Sequence, residues 1–212
     1  MSLGREDRIH QWLRRRLRRR GFDRVGDDGA ILSAGGPWAI TQDQQIEGVH
    51  FTARLDLALV ARRLLAVNLS DLAAMGAEPA YAFLALSAPP EADLRRFLSA
   101  FTDACARFGV ELAGGDLAAN DRVTSSLTLM GRRPAGGRWL ERRHGQPGDT
   151  LWVAGELGLS ALGRRLIEAG ADLRGNRVVL PTAPRLDGAE SSLARRAVRQ
   201  HLVRLQGELA AG

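Results

Sequence analysis

The stretch "AVNLSDLAAMGAEPAYAFLAL", residues 66–86, changes its period half-way along. Upstream and into it, Leu57, Val60, Leu64, Asn68, Asp71 and Met75 follow one another at spacings of three and four, which predicts a helix from Asp56 to about Ala74. From Tyr81 the continuous run "YAFLALSAP" reads as a buried strand. The helical stripe is apolar until Asn68 and Asp71 interrupt it. A polar pair on a face that ought to be buried must be hydrogen-bonded, ion-paired or metal-bound, because an unpaired buried carboxylate is costly.

Working outward, the same mixture recurs. "PWAITQD" and "QIEGVHF" alternate enough to be strands, either a pair or one long strand. "EADLRRFLSAFTDACARFG" predicts a helix with Leu94, Phe97, Leu98 and Phe101 inward and Gly109 as its stop. A short strand at "VELAGGD", a turn at "AAND" and an alternating strand at "VTSSLTLMGR" come next. After the turn-rich "GGR" at 136–138 and "GQPGD" at 145–149, the pattern predicts a strand at "TLWVAG", a helix from Leu159 to about Ala169 and a helical tail from Ser191. The fold class is therefore mixed α/β. A boundary near residue 145 divides it into 1–145 and 146–212, the second part being small for an independent core.

A content of 45% hydrophobic residues in 212 fills a proper core. No apolar run reaches the length that spans a bilayer and the N-terminus lacks a secretory apolar centre, so a cytoplasmic protein without a membrane partner is expected. Cys105 sits in an amphipathic pattern and reads as core. The formal charge is +6, and all 30 basic residues are arginine, which looks like compositional bias and weakens the case for a polyanion partner. The strongest cluster, "RRRLRRR" from Arg14 to Arg20, follows "IHQW", and Ile9, Leu13 and Leu17 recur every four residues. It reads as an amphipathic surface helix with arginines facing water, and a nucleic-acid partner ranks last.

Four acidic sites lie at the ends of predicted elements: "GDDGA", "TQDQQ", "NLSDL" and "GGDLA". Their candidate working members are Asp28, Asp43, Asp71 and Asp116, with Thr41 beside Asp43. Each motif alone is an ordinary turn, but carboxylates gathered without histidine or cysteine suit hard, oxygen-loving cations, and magnesium is held by few carboxylates together with substrate phosphates. Gly114 and Gly115 would let the main chain approach a phosphate closely. There is no G-x-x-x-x-G-K-[ST], and without any lysine no Walker or protein-kinase lysine exists. His10, His50, His144 and His201 show no zinc-ligand spacing.

"GDDGAIL", "TQDQQIEGVHF", "AVNLSDLAAMGAEPAYAFLAL", "GGD" and "RRHGQPGDTLWVAG" together resemble thiamine-monophosphate kinase, a family of the aminoimidazole ribonucleotide synthetase superfamily. The resemblance covers roughly residues 20–165. It implies transfer of the γ-phosphoryl of ATP to thiamine monophosphate with several magnesium ions. Carried over position by position, Asp28, Thr41, Gln42, Asp43, Asp71 and Asp116 fall on metal-binding positions, Gly115, Asp116 and Arg142 on nucleotide-binding positions, and His50 on a substrate contact. Gln42 stands where the family has a hydroxyl residue, so its backbone carbonyl is the remaining ligand there. The resemblance further implies a homodimer whose strands pair across subunits into a barrel, and a C-terminal α/β domain. Family segments D-x-S-D-G-L and G-G-E-D are not in this sequence, so that domain is expected to be incomplete. The competing readings are a catalytically silent dimerisation or regulatory module of the same family and a kinase for another small molecule.

Overall fold

A computed structural model describes residues 5–20, 38–140, 145–153, 155–174, 177–181 and 186–202. The chain divides into two compact units, with the change at residue 145.

The first unit is one four-stranded sheet with helices on one face. Helix α1 (Arg5–Arg18) precedes strand β1 (Trp38–Ile46), helix α2 (Leu57–Ala74), strand β2 (Glu78–Ala88), helix α3 (Leu94–Arg107), and strands β3 (Glu111–Ala119) and β4 (Thr124–Arg132). The strand order is β1-β4-β2-β3. β4 is antiparallel to both β1 and β2, whereas β3 runs parallel to β2, with α3 as the crossover a parallel pair requires. "QIEGVHF" does not form a second strand. β1 ends at Ile46, and a tight turn closed by Gly48 N–H donating to the Phe51 carbonyl (2.8 Å) follows.

The helices start where short acidic side chains can satisfy their first free N–H groups. Asp56 accepts from Ala58 N at the start of α2, and Asp93 from Arg96 N at the start of α3. Beyond Phe108, Gly109 at φ 66° turns the chain into β3. Phe97 and Phe101, one turn apart, are fully buried and stack with centroids 6.3 Å apart. They join Leu64, Leu65 and Leu72 of α2 and Leu127 and Leu129 of β4 in one core, each contributing on the order of 1.5–3 kcal/mol by leaving water. Cys105 lies in this core, where burial pushes its thiol far above the ordinary range, so it is inert. Ile9, Leu13 and Leu17 seat α1 on the same core.

In the second unit, helix α4 (Leu159–Glu168) packs on helix α5 (Gly188–Leu202), with a short hairpin of strands β5 (Asp172–Arg174) and β6 (Arg177–Val179) between them in sequence. The crossing is close at Gly163, where a Cβ would stand 2.1 Å from the Ala197 carbonyl oxygen. The strand expected at "TLWVAG" is not formed among its described residues. Leu151 and Trp152 are 93% and 89% exposed and belong to no ladder. Apolar alternation makes a strand only where a neighbouring strand takes its backbone N–H and C=O groups, and none does so there.

Candidate functional site

The alternation of "TQDQQ" on β1 is what builds the site. Thr41, Asp43 and Gln45 share the face turned toward the helices, while Ile40, Gln42 and Gln44 face the opposite way and are exposed. α2 crosses this inner face. At its C-terminal end the Thr41 hydroxyl donates to Asp71 Oδ2 at 2.7 Å, joining residues thirty positions apart. Asp43 is half-buried beside them. Its carboxyl is held above the ordinary value of 3.8, first by burial and then by the neighbouring charge of Asp71, with the charge of His50 acting the other way. Two carboxylates and a hydroxyl thus converge where the charges oppose one another. That oxygen-only set fits a hard divalent cation, since magnesium takes one or two carboxylates and completes its shell from phosphates and water. Among the described residues no third acidic, histidine or cysteine side chain joins to make an all-protein metal cage.

His50 lies on the turn after β1, exposed, and its Nδ1 accepts from Ile46 N–H at 3.1 Å. The imidazole is thereby fixed with Nε2 free to meet a ligand. Arg63 of α2, partly buried, donates to the His50 carbonyl at 3.4 Å and brings a positive charge to this end of the site.

Other expected members stand elsewhere. The Gln42 side chain lies on the outer sheet face, donating from Nε2 to Ser126 Oγ (3.1 Å), so only its backbone can reach the acidic pair. Gly115 and Asp116 are on β3, level with Leu84 and Ala85 and three strand spacings from β1, roughly 14 Å. Gly115 adopts φ 152°, and a Cβ there would fall 1.8 Å from the Leu84 carbonyl oxygen, so the close pairing of β3 with β2 requires glycine. Asp28 and Arg142 lie outside the described residues.

The polar break in α2 resolves into two roles. Asp71 is exposed and reaches Thr41. Asn68 is fully buried, its Nδ2 donates to the Leu64 carbonyl at 2.8 Å, and its Oδ1 finds no donor among the described residues. Gln45, two residues beyond Asp43 on the same face, is buried with Oε1 equally unmatched. Reading Thr41 and Asp43 as one face of a strand points to Gln45 as well, a residue the motif-based reading passes over.

Residues 26–133 match the family described as AIR synthase related protein, N-terminal domain. The chain belongs to this family. Among curated relatives, the thiamine-monophosphate kinase of Caulobacter vibrioides is 41% identical over 143 residues, covering 65% of this chain and 40% of the relative. The crystal structure of thiamine-monophosphate kinase from Stenotrophomonas maltophilia K279a superposes with a TM-score of 0.70 at 32% identity, covering 95% of this chain and 61% of that one. A structure described as AaThiL complexed with AMPPCP and TMP shares the fold at 22% identity and a TM-score of 0.64, covering 95% and 61%. The chain thus spans less than half the length of the Caulobacter relative it matches.

Proposed function

We propose that the protein handles a magnesium nucleotide as the N-terminal part of a thiamine-monophosphate kinase, supporting transfer of the ATP γ-phosphoryl group to thiamine monophosphate. The observation that carries the reading is the convergence of Thr41, Asp43 and Asp71 between β1 and α2, in a chain 41% identical to a kinase of that name. A complex with AMPPCP and TMP is known for the relative sharing the fold.

Phosphoryl transfer asks mainly for alignment and charge neutralisation. Asp43 and Asp71 would hold one magnesium, joined by Asp28 and the Gln42 carbonyl, Asp116 would hold another from β3, and bound magnesium would offset the charge of the phosphates. Thr41 fixes the Asp71 carboxylate by donating to one oxygen and leaves the other available. Gly115, Asp116 and Arg142 would bind the nucleotide, Gly115 and Asp116 doing so from β3, three strands away from the acidic pair. His50 would donate from Nε2 to the acceptor substrate. The outer sheet face, where Ile40 is 63% exposed, would meet a second copy.

Calorimetry with magnesium and AMPPCP tests the binding half, and ADP release with thiamine monophosphate tests turnover. Asp43→Asn and Asp71→Asn are expected to weaken magnesium-dependent nucleotide binding by about tenfold or more, ~1.4 kcal/mol. A second readout moves the other way. Because Asp43 has its folded value raised above 3.8, its charged form opposes folding once the pH exceeds that window, so Asp43→Asn should stabilise the metal-free protein at neutral pH. The gain is small, since Asp43 is only half-buried and solvent screens its repulsion from Asp71. Nucleotide binding that ignores both magnesium and these substitutions would overturn the proposal.

A further inference from the structure

The arginines of the cluster Arg14–Arg20, on α1 and the turn that follows it, fall into two groups that the sequence alone does not separate. Arg16 donates from Nε to Thr102 Oγ1 (2.8 Å) and from Nη2 to Asp103 Oδ1 (2.7 Å), and Arg20 reaches the Thr102 carbonyl (2.6 Å) and the same Asp103 oxygen. These two, with Ile9, Leu13 and Leu17 beneath, pin the helix to α3 and the core. Arg14, Arg15, Arg18 and Arg19 do the opposite. All four are exposed, and none takes a carboxylate partner among the described residues. At 100° per residue they occupy an arc of roughly 140°, within about 7.5 Å along the axis.

Four exposed guanidiniums on one helix face, without a carboxylate partner among the described residues, repel one another, and a line of closely spaced anions relieves that repulsion. We propose that this outer face of α1 binds the phosphodiester backbone of a nucleic acid, independently of sequence. Guanidinium suits the task because its planar fork meets phosphate oxygens two at a time. A membrane surface fits less well. A surface-lying helix needs a free apolar face to insert, and the apolar face here is already buried against the core. An isolated small anion would not use four arginines spread over one and a half turns. None of the four lines the cleft of about 240 Å³ near the start of α3, whose lining includes Arg8, Asp93 and Arg95 and is mixed in charge. This surface is separate from the acidic pair, so the proposal stands apart from the kinase reading.

Fluorescence anisotropy with a labelled single strand of about 20 nucleotides and the matching duplex, between about 50 and 200 mM salt, tests it. With three to four phosphates engaged, the logarithm of affinity for the single strand should fall with the logarithm of salt at a slope of about −2 to −3. Replacing Arg14, Arg15, Arg18 and Arg19 with Gln should cost about tenfold or more at the lower salt and remove most of that slope, while replacing all four with Lys should retain it. The pair Arg15→Gln and Arg19→Gln, which leaves the anchored arginines and the core untouched, should remove about half the slope. Absence of oligonucleotide binding at the lower salt would overturn the proposal. So would a slope unchanged by the Gln substitutions, or capture by phosphatidylserine vesicles in preference to either oligonucleotide.

Discussion

Asp56 shows how much one side chain can do in this protein. It caps α2 by accepting from Ala58 N–H at 2.9 Å, and it takes a two-pronged contact from Arg96 of α3, tying the two helices together. The Arg96 hydrogen bond is the main reason its carboxyl is held below the ordinary 3.8. A lowered folded value means that the stabilisation is complete above 3.8 and is lost as the pH falls through the folded value. Asp56→Ala removes cap and pair together and should cost about 1–2 kcal/mol, most of it from the cap, because a pair this exposed adds only about 0.2–1 kcal/mol. Asp56→Asn retains the cap and should cost the smaller part alone. Urea unfolding at neutral pH and again near pH 3 checks both, since the difference between parent and Asn variant should shrink in acid. A difference that stays constant would show that the charge of Asp56 contributes nothing.

At the scale of elements, the helices and the strand faces were legible while the strand neighbours were not. The three-and-four spacing of Leu57, Val60 and Leu64, and of Leu94, Phe97 and Phe101, gave both long helices nearly to their ends, because one buried face imposes that period whatever lies opposite. The alternation of β1 likewise put Thr41 and Asp43 on one face. Sequence could not show that β4 inserts between β1 and β2, or that β3 lies outermost, and so it could not show that Asp116 stands three strands from Asp43. Nor could it show that "TLWVAG" lacks a partner strand. The pairing of β3 with β2 yields a prediction with its own control. A Cβ at Gly115 meets the Leu84 backbone at 1.8 Å, which nothing flexible can relieve, whereas Gly109 has φ 66° and open space around it. Gly109→Ala should cost only the left-handed penalty of about 1–2 kcal/mol. Gly115→Ala should cost more than about 3 kcal/mol or detach β3, visible as accelerated amide exchange across residues 111–119. Equal costs at the two sites would refute the close strand approach.

For the molecule as a whole, the uncovered side of the sheet matters most. The helices cover one face of the first unit's sheet. The other carries Trp38 packed on Tyr81 with ring centroids 5.6 Å apart, the half-buried Phe83 and Met130, and the exposed Ile40. Nine-residue strands about 30 Å long in a sheet about 19 Å wide present a surface on the order of half a standard interface, whose total is about 1,600 Å². Trp38, Ile40, Tyr81, Phe83 and Met130 make up the apolar part of that face, with Gln42, Gln44, Ser126 and Thr128 as its polar part, and a second copy of the same sheet is the partner the proposed dimer supplies. Sedimentation equilibrium should then give twice the chain mass of 23.0 kDa. Ile40→Glu, which sets a charge on the most exposed apolar side chain of the proposed contact, on edge strand β1, should return the protein to 23.0 kDa at micromolar concentration. Leu157→Glu is the matched control, because Leu157 is more exposed than Ile40, at 82%, yet lies in the second unit. If association were driven by exposed apolar side chains in general, Leu157→Glu would weaken it at least as much as Ile40→Glu. An effect confined to Ile40 locates the contact on the sheet, and a parent protein of 23.0 kDa at high concentration removes the dimer.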